Sequence, residues 1–313
     1  MTGAAVEPWT PDRHLTAETA RRSIGRQFGG IDTRDLRLLG AGWEFDAYLT
    51  CDGWVFRFPR RREYAGVFER EPAIHALAAA ALPETVAIPV VELWGSPDPD
   101  FPYRFAGHRY LPGLAADDPA VEVAAFDKLA RDLGEAIAAI HAIDVEAAVA
   151  VGVPPAEDET ATWLTEAREA AVRVRCLGDA AERAGVWLDA DPPVPPPHRG
   201  PGRVLHNDVC PDHLLVDTGS GRLRGILDWT DTAIGDPALD FVPLVAWRGW
   251  PFTRDVLGSY GAPDDPGFES RLGFMARVMA VVWLDEANRI GGDVEKHLRW
   301  LANAFAAPAL FAR

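Results

Sequence analysis

The hydrophobic pattern of this 313-residue chain changes at Tyr110–Pro119, and this change limits the folds open to it. Before that point, apolar residues alternate over short runs, as they do in half-buried β-strands. After it, they recur about every three to four residues over long runs, as they do in amphipathic helices. The pattern predicts an α+β chain with a sheet lobe at residues 1–108, a hinge at residues 109–113 and a helical lobe at residues 114–313.

The pattern of apolar residues in the first region predicts a small, mostly antiparallel sheet together with one helix. Strands are indicated on both sides of a turn around Gly40–Gly42, then at Trp54–Phe58, and in the segments VAIPVVELWG and YRFAGHRYLPG. Helical spacing covers Arg62–Leu82, and Pro72 must occupy a first turn or a break in that helix.

The second region predicts several helices and one β-hairpin. Helical spacing covers Val121–Asp144, about Glu159–Ala190 and the C-terminal part of the chain. The connector DPPVPPPHRGPG, at Asp191–Gly202, is too rich in proline to be helical. Two short strands, HLLVD and RLRGILDW, are joined at Thr218–Gly221, and this predicts the hairpin.

The charge of the chain limits the classes of partner. It has 31 Lys and Arg residues against 47 Asp and Glu residues, a net charge of −16. Nucleic acids and anionic membranes need a basic surface, so we expect neither as a partner. There is no signal-peptide pattern and no apolar run of about 18 residues. These features favour a cytoplasmic protein with a small cationic ligand, and we expect a monomer.

The segment Val204–Phe241 has the clearest chemical pattern. His206 and Asp208 lie in a predicted loop, His213 opens the next strand, and the hairpin returns the chain to Asp228. Two carboxylates and a histidine can then converge, with His206 supporting the loop backbone by hydrogen bonds. Phosphoryl transfer requires such a set, because one carboxylate orients the attacking hydroxyl while other groups bind Mg²⁺ on the triphosphate.

The motif HNDVCPDH, followed by a hairpin into ILDW, resembles the antibiotic phosphotransferases, which are small-molecule kinases. The similarity continues, in order along the chain, through LGAGWEFDAYLT, VFRFPRR, EREPAIHAL, HRYLPG, LGEAIAAIHAID and GDPALDF. The resemblance implies a two-lobed, protein-kinase-like fold with an N-terminal nucleotide-binding lobe and a C-terminal catalytic and substrate-binding lobe. It also implies two Mg²⁺ ions, ATP or GTP as co-substrate, and an alcohol group as acceptor.

The resemblance assigns roles to individual residues. Asp208 matches the family's catalytic base, and Asp228 matches its Mg²⁺-binding aspartate. His213 stands where most members have an Asn metal ligand, and His there is familiar from aminoglycoside 2''- and macrolide 2'-phosphotransferases. Arg57 takes the place of the lysine that contacts the nucleotide phosphates, and Glu71 matches the carboxylate that pairs with that lysine.

Further residues complete the predicted site. We expect Gly40 and Gly42 near the phosphates, and the backbone of Arg109, Tyr110 and Leu111 against the purine. An acidic and aromatic set could bind a cationic acceptor through charge and cation–π contacts; it consists of Asp231, Trp283, Asp285 and Glu286. A solvent-exposed acidic helix face is the alternative interpretation of the last three.

These inferences favour a kinase that inactivates an antibiotic and so confers resistance. An aminoglycoside is the first candidate acceptor, because polycationic rings suit an acidic protein. A macrolide is the second candidate, because of Arg57 and His213. Two alternatives are a kinase for a metabolite, such as choline or a sugar amine, and a pseudokinase that binds nucleotide without catalysis. The presence of both Asp208 and Asp228 argues against the pseudokinase.

Overall fold

The computed structural model describes residues 10–122, 126–261 and 264–306. The chain forms two compact units. The first consists of Met1–Leu77 and Ala87–Pro112, and the second of Ala78–Val86 and Gly113–Arg313. Residues 78–86 belong to the second unit, although the sequence analysis placed them in the first lobe. No helix in the described ranges is both long and apolar enough to cross a membrane.

The first unit contains a five-stranded antiparallel sheet. Its strands are β1 (Arg37–Ala41), β2 (Phe45–Leu49), β3 (Trp54–Pro59), β4 (Val91–Gly95) and β5 (Phe105–Arg109), in the order β1-β2-β3-β5-β4. A 3-10 segment at Arg62–Glu69 leads into helix α2 (Glu71–Ala81), and Pro72 lies in the first turn of that helix, as predicted.

Helix α1 (Ala17–Gln27) precedes the sheet and adds to the one helix predicted for this region. The hydroxyl oxygen of Thr16 caps it by accepting the backbone N–H of Thr19. Its buried positions, Ala20, Ser23 and Ile24, include one large apolar side chain, so the helical spacing was too weak to detect. The turn between β1 and β2 was also misplaced, because β1 continues through Gly40 and the turn follows at residues 42–44.

Strand β3 is buried on both of its faces, and this decides where Arg57 lies. Trp54, Phe56 and Phe58 point into an aromatic core, in which the rings of Phe58 and Phe105 stack with centroids 4.5 Å apart. Because side chains alternate across a strand, Arg57 lies on the opposite face. Arg57 is therefore a charged side chain that is buried against the second face of the sheet.

The second unit is mainly helical. Its elements are β6 (Leu114–Ala115), α3 (Phe126–His141), α4 (Val145–Ala150), α5 (Thr160–Val174), α6 (Asp179–Asp189), β7 (Arg203–Leu205), β8 (Leu214–Val216), β9 (Leu223–Ile226), β10 (Ala233–Gly235), α7 (Val242–Tyr260), α8 (Phe268–Ile290) and α9 (Val294–Phe305). Helix α3 approaches α7 closely at Gly134, where a Cβ atom would lie 2.3 Å from the carbonyl oxygen of Val256. A side chain at position 134 would therefore force the two helices apart.

Short antiparallel strands in this unit hold the candidate site. Strands β8 and β9 form the predicted hairpin, with Leu214 opposite Ile226. Strands β7 and β10 form a second antiparallel pair, in which Leu205 lies opposite Ala233. The loop after β7 and the end of β9 therefore lie in the same small region, although they are distant in sequence.

Candidate active site

The loop that follows β7 is held by a buried carboxylate. Asp240 has no exposed surface, and its two oxygens accept the backbone N–H groups of His206 at 3.0 Å and Asn207 at 2.6 Å. Asn207 has a positive φ of 66°, a conformation that asparagine adopts more readily than most residues. These contacts set the direction in which the chain enters Asp208.

The imidazole of His206 ties this loop to the end of the hairpin. Its Nε2–H donates to the carbonyl oxygen of Leu227 at 2.9 Å, and its Nδ1 accepts the backbone N–H of Asp208 at 3.3 Å. One donor and one acceptor are the groups of a neutral imidazole, and burial lowers the pKa of His206. The contacts agree with the interpretation of His206 as a support for the loop.

His213 lies between the carboxylates of Asp208 and Asp228. Its Nδ1 is 3.1 Å from the Asp208 Oδ2 atom and 3.1 Å from the Asp208 carbonyl oxygen. Its Nε2 is 3.9 Å from the Asp228 Oδ2 atom. The Oδ1 atom of Asp228 accepts the hydroxyl of Thr230 at 2.8 Å, and Asp228 has a positive φ of 56°. The structure thus brings the three predicted residues together.

The charges at this cluster shift the pKa values of its members. Burial opposes the charged form of His213, but the carboxylates of Asp208, Asp212 and Asp228 outweigh it and raise the His213 pKa to about 10. Burial also disfavours an ionised Asp208, yet the hydrogen bond from His213 lowers the Asp208 pKa. Partial desolvation and the charges of Asp208 and Asp228 raise the pKa of Asp231 to about 6. Asp208 is therefore ionised at neutral pH.

The Asp228 and His213 side chains fit part of a Mg²⁺ site. Both are partly exposed, and the Oδ2 atom of Asp228 faces the Nε2 atom of His213. Because the raised pKa keeps His213 protonated, its Nε2 would bind an ion only once the incoming cation displaces that proton. Mg²⁺ in kinases takes one or two protein ligands and completes its shell with phosphates and water. Within the described ranges, no group of three or more His, Cys, Asp or Glu side chains is arranged to hold a metal alone. The donor set thus suits an ion that arrives with a triphosphate.

In the first unit, Arg57 forms a buried ion pair with Glu71. The distance from Arg57 Nη1 to Glu71 Oε1 is 2.5 Å, and the two residues are 8% and 1% exposed. The guanidinium carbon lies 4.3 Å from the ring centroid of Phe45 and 5.6 Å from that of Phe68. The pairing that the resemblance implied for these two positions is present, with Arg in place of Lys.

His108 on β5 shares the sheet face of Arg57, because Arg57 pairs across the strands with Ala106, two residues away. Burial, together with the charge of Arg57, lowers the pKa of His108 to about 4 from its ordinary value of 6.5. Between these pH values the unfolded chain binds a proton that the folded chain does not. The stability of the fold should therefore decrease as the pH falls through this range.

We expect His108→Gln to remove this pH dependence. The wild-type protein should lose about 2 kcal/mol of unfolding free energy through His108 between pH 7 and pH 5, since each pKa unit is worth about 1.4 kcal/mol. Urea unfolding of both proteins at the two pH values measures the difference. An equal loss in the variant would contradict the assignment, and His14→Gln, at a residue with an exposed side chain, serves as the control.

The other predicted nucleotide residues occupy the edge of the first unit. Gly40 lies in exposed strand β1, and the N–H of Gly42 donates to the carbonyl oxygen of Phe45 at 2.9 Å. The Arg109 guanidinium lies 3.8 Å from the Trp54 ring centroid. The N–H of Tyr110 donates to the carbonyl oxygen of Gly53 at 2.9 Å, and Leu111 is half-buried. The Tyr110 amide is therefore already hydrogen-bonded within the first unit.

The predicted acceptor residues separate into two places. Asp231 interacts electrostatically with Asp208 and Asp228. Trp283, by contrast, packs on Trp300 in α9, with ring centroids 5.8 Å apart. On the same helix, burial and the charge of Glu166 raise the pKa of Glu286 to about 7.

Asp285 differs from its predicted role. The residue is 2% exposed. Its two carboxylate oxygens share the single Nε–H of Arg173, each at 3.0 Å, and one of them also accepts from Nη2 at 2.8 Å. A buried carboxylate paired in this bidentate way links α5 to α8 and has little capacity to bind a ligand. The prediction for Asp285 is corrected to a structural ion pair.

The sequence analysis missed a buried set behind the loop. His141 Nε2 lies 3.0 Å from the Asp240 Oδ2 atom, and His141 Nδ1 lies 2.9 Å from the Tyr260 hydroxyl. His141 is 99 positions from Asp240 and 119 from Tyr260, so no local motif joins it to them. The helical spacing indicated only that His141 lies near the end of a long amphipathic helix.

A family model described as "Phosphotransferase enzyme family" matches residues 35–273 of this chain. The viomycin phosphotransferase of Streptomyces vinaceus is 28% identical over 193 residues, which are 59% of this chain and 64% of that protein. The residues that the family model matches include both the sheet of the first unit and the cluster around Asp208.

Two solved structures share the fold. The GDP and kanamycin complex of the aminoglycoside phosphotransferase APH(2'')-IIIa has a TM-score of 0.72 and 27% identity, covering 92% of this chain and 98% of its own. The macrolide 2'-phosphotransferase of Brachybacterium faecium, in its apoenzyme form, has a TM-score of 0.58 and 25% identity, covering 93% and 98%. This confirms the protein-kinase-like α+β fold expected from the sequence, and the chain belongs to the phosphotransferase enzyme family.

Proposed function

We propose that this protein is a kinase that transfers the γ-phosphoryl group of ATP or GTP to a hydroxyl group of an aminoglycoside antibiotic. The observation that carries the proposal is the convergence of Asp208 and Asp228 on His213. We place the enzyme in the cytoplasm, where nucleoside triphosphates are available, and expect it to act as a monomer.

Asp208 is the proposed base. The hydrogen bond from His213 holds its carboxylate in one orientation and keeps it ionised. An ionised carboxylate can accept a hydrogen bond from the acceptor hydroxyl, point its oxygen at the phosphorus and take up its proton as the new bond forms. Positioning of this kind is the main contribution that a protein makes to phosphoryl transfer.

Three side chains are proposed to hold the phosphates of the nucleotide and their metal ion. Asp228 and His213 would bind Mg²⁺, which offsets the charge of the triphosphate and of the transferring phosphoryl group. Arg57, held in place by Glu71, would contact the phosphates with its fixed positive charge. The backbone near Arg109–Leu111 would meet the purine.

The acceptor class rests on similarity and on charge. The match to the aminoglycoside enzyme, at a TM-score of 0.72, exceeds the match to the macrolide enzyme at 0.58. Asp231 adds negative charge beside the proposed base, which favours a cationic acceptor. A macrolide is the second candidate, because the Arg at position 57 is also similar to the macrolide branch.

The proposal is tested by mixing the protein with Mg²⁺ and either ATP or GTP, and by measuring nucleoside diphosphate release across a panel of aminoglycosides and macrolides. Choline and amino sugars belong in the same panel. Turnover with one aminoglycoside, and mass spectrometry showing one added phosphate, is the expected result. Turnover only with choline or an amino sugar would show that the acceptor is a metabolite and not an antibiotic. Nucleotide binding without turnover on any acceptor would favour a pseudokinase.

Arg57→Gln is expected to raise the KM for the nucleotide about ten- to a hundredfold, because a charge-assisted hydrogen bond contributes about 1.5–3 kcal/mol. Arg57→Lys keeps the charge beside Glu71 and should change the KM by much less. Arg37→Gln, at an exposed arginine on β1, is the control. A nucleotide KM that is unchanged in Arg57→Gln would exclude a phosphate contact.

A further inference from the structure

A cavity of about 680 Å³ lies in the second unit, behind the loop that carries Asp208. Its lining includes His141, Pro197, Arg199, Arg203 and Tyr260. The volume falls in the range of pockets that hold small molecules. We propose that this cavity binds a small organic anion with an apolar body, and that the bound anion weakens the support of the loop.

The walls of the cavity favour such a ligand. The proline-rich connector supplies rigid apolar surface through Pro196, Pro197 and Pro201. Arg199 and Arg203 also line the cavity, and neither has an ion-pair partner within the described residues. Carboxylates and phosphates are the groups that guanidinium binds best, so these two side chains select an anion.

The remaining charges of the lining leave this preference in place. Arg271 also lines the cavity, but it is neutralised by Asp236 at 2.5 Å and by Asp265 at 2.5 Å. His198 lies 3.1 Å from the same Asp265. Asp264 is exposed at the lining. Together with Asp236, the arginines and aspartates of this region carry equal numbers of positive and negative charges. The preference for an anion therefore rests on Arg199 and Arg203, the two arginines that no described carboxylate pairs with, and not on a net positive charge.

A chain of hydrogen bonds connects the cavity to the proposed base. An ionised carboxylate only accepts hydrogen bonds, so His141 must donate its Nε2–H to Asp240. The Nδ1 atom of a neutral His141 is then an acceptor, and the Tyr260 hydroxyl donates to it at 2.9 Å. Asp240 in turn accepts the N–H groups of His206 and Asn207, next to Asp208.

This chain of hydrogen bonds is sensitive to a ligand, because Tyr260 has only one hydroxyl proton to donate. Arg203 and Tyr260 line the same cavity, and the charge of Arg203 opposes the rise that burial causes in the Tyr260 pKa. An anion bound to Arg203 would compete with His141 for the proton. The contact with Tyr260 that orients His141 towards Asp240 would then be lost, and with it part of the support of the carboxylate that accepts the N–H groups of His206 and Asn207. This effect on turnover rests on the proposed kinase function, whereas anion binding and loop exchange do not.

Binding is measured by calorimetric titration of the whole protein with phenyl phosphate, benzoate and inorganic phosphate. Saturating Mg²⁺ and ADP block the nucleotide site. We expect phenyl phosphate or benzoate to bind, and the comparison of the two separates phosphate from carboxylate recognition. Arg203→Gln and Arg199→Gln should each weaken binding at least about tenfold, whereas Arg254→Gln, at an exposed arginine on α7, should not. Absence of binding, or equal binding by Arg203→Gln, would overturn the proposal.

Coupling is measured by hydrogen exchange of the peptide that covers residues 204–210, a readout that does not require an acceptor. The bound anion should speed its exchange, and Tyr260→Phe should bind the anion more weakly and show fast exchange with or without it. Under the proposed function, kcat should fall about fivefold or more with the anion. Unchanged exchange in the anion complex would refute the coupling. Anion-dependent exchange without turnover on any acceptor would instead leave the coupling standing and count against the kinase function.

Discussion

Replacing Asp208 with Asn should lower kcat for phosphoryl transfer by about 10²- to 10⁴-fold, the usual contribution of a positioned general base. The substitution keeps the size of the side chain and one acceptor for the hydrogen bond from His213. It removes the negative charge that orients the acceptor hydroxyl and receives its proton. Nucleoside diphosphate release, measured with the acceptor that the panel identifies, gives the value.

The same experiment distinguishes a base from a general electrostatic effect. Asp212→Asn removes an equal charge from an exposed residue in the 3-10 turn Pro211–His213, which follows Asp208 in the chain. This variant should leave kcat within about twofold of the wild-type value. The KM for the nucleotide should change little in either variant, because the proposed Mg²⁺ ligands are Asp228 and His213. A kcat in Asp208→Asn that matches the wild-type value would remove Asp208 from the mechanism.

Asp240→Ala should lower the free energy of unfolding by about 3 kcal/mol or more. The carboxylate has no exposed surface and accepts hydrogen bonds from His206, Asn207 and His141. Each buried donor left without an acceptor costs about 1–3 kcal/mol, and the imidazole also loses the charge it faces. Urea unfolding at pH 7 measures the loss.

A control for this variant lies on the neighbouring helix. Asp255→Ala removes a carboxylate from an exposed position of α7 and should change stability by no more than about 0.5 kcal/mol. Asp240→Ala should also reduce turnover even where the protein is folded, because the loop before Asp208 loses both of its backbone anchors. Full stability in Asp240→Ala would show that solvent or other groups replace these contacts.

Much of the fold was predictable, because its signals are local. The short alternating runs placed β2 to β5, and the turn at residues 218–221 placed the hairpin of β8 and β9. That hairpin carries Asp228 back to the loop of Asp208, so the convergence with His213 followed from chain geometry. The pairing of Arg57 with Glu71 came from the resemblance, since the two residues are in different elements.

The features that were missed depend on tertiary packing. Helix α1 has few large apolar residues and is stabilised by packing on the sheet, which a spacing pattern cannot show. The partner of Asp285 is Arg173, 112 residues away, so the sequence analysis assigned the carboxylate to an acceptor pocket or to a solvent-exposed helix face. The set of His141, Asp240 and Tyr260 spans three elements for the same reason.

The positive φ angles of Asn207 and Asp228 restrict how the gene can change. Glycine, asparagine and aspartate tolerate this conformation best, whereas β-branched and bulky residues are strained in it. A single-nucleotide change in an asparagine codon can produce Asp, His, Ser, Thr, Ile, Lys or Tyr, but not Gly. Asp at position 207 would add a further negative charge directly before Asp208. Most single-nucleotide substitutions at position 207 are therefore disfavoured. A glycine at this position would require two nucleotide changes, and the residue encoded after the first change is itself disfavoured.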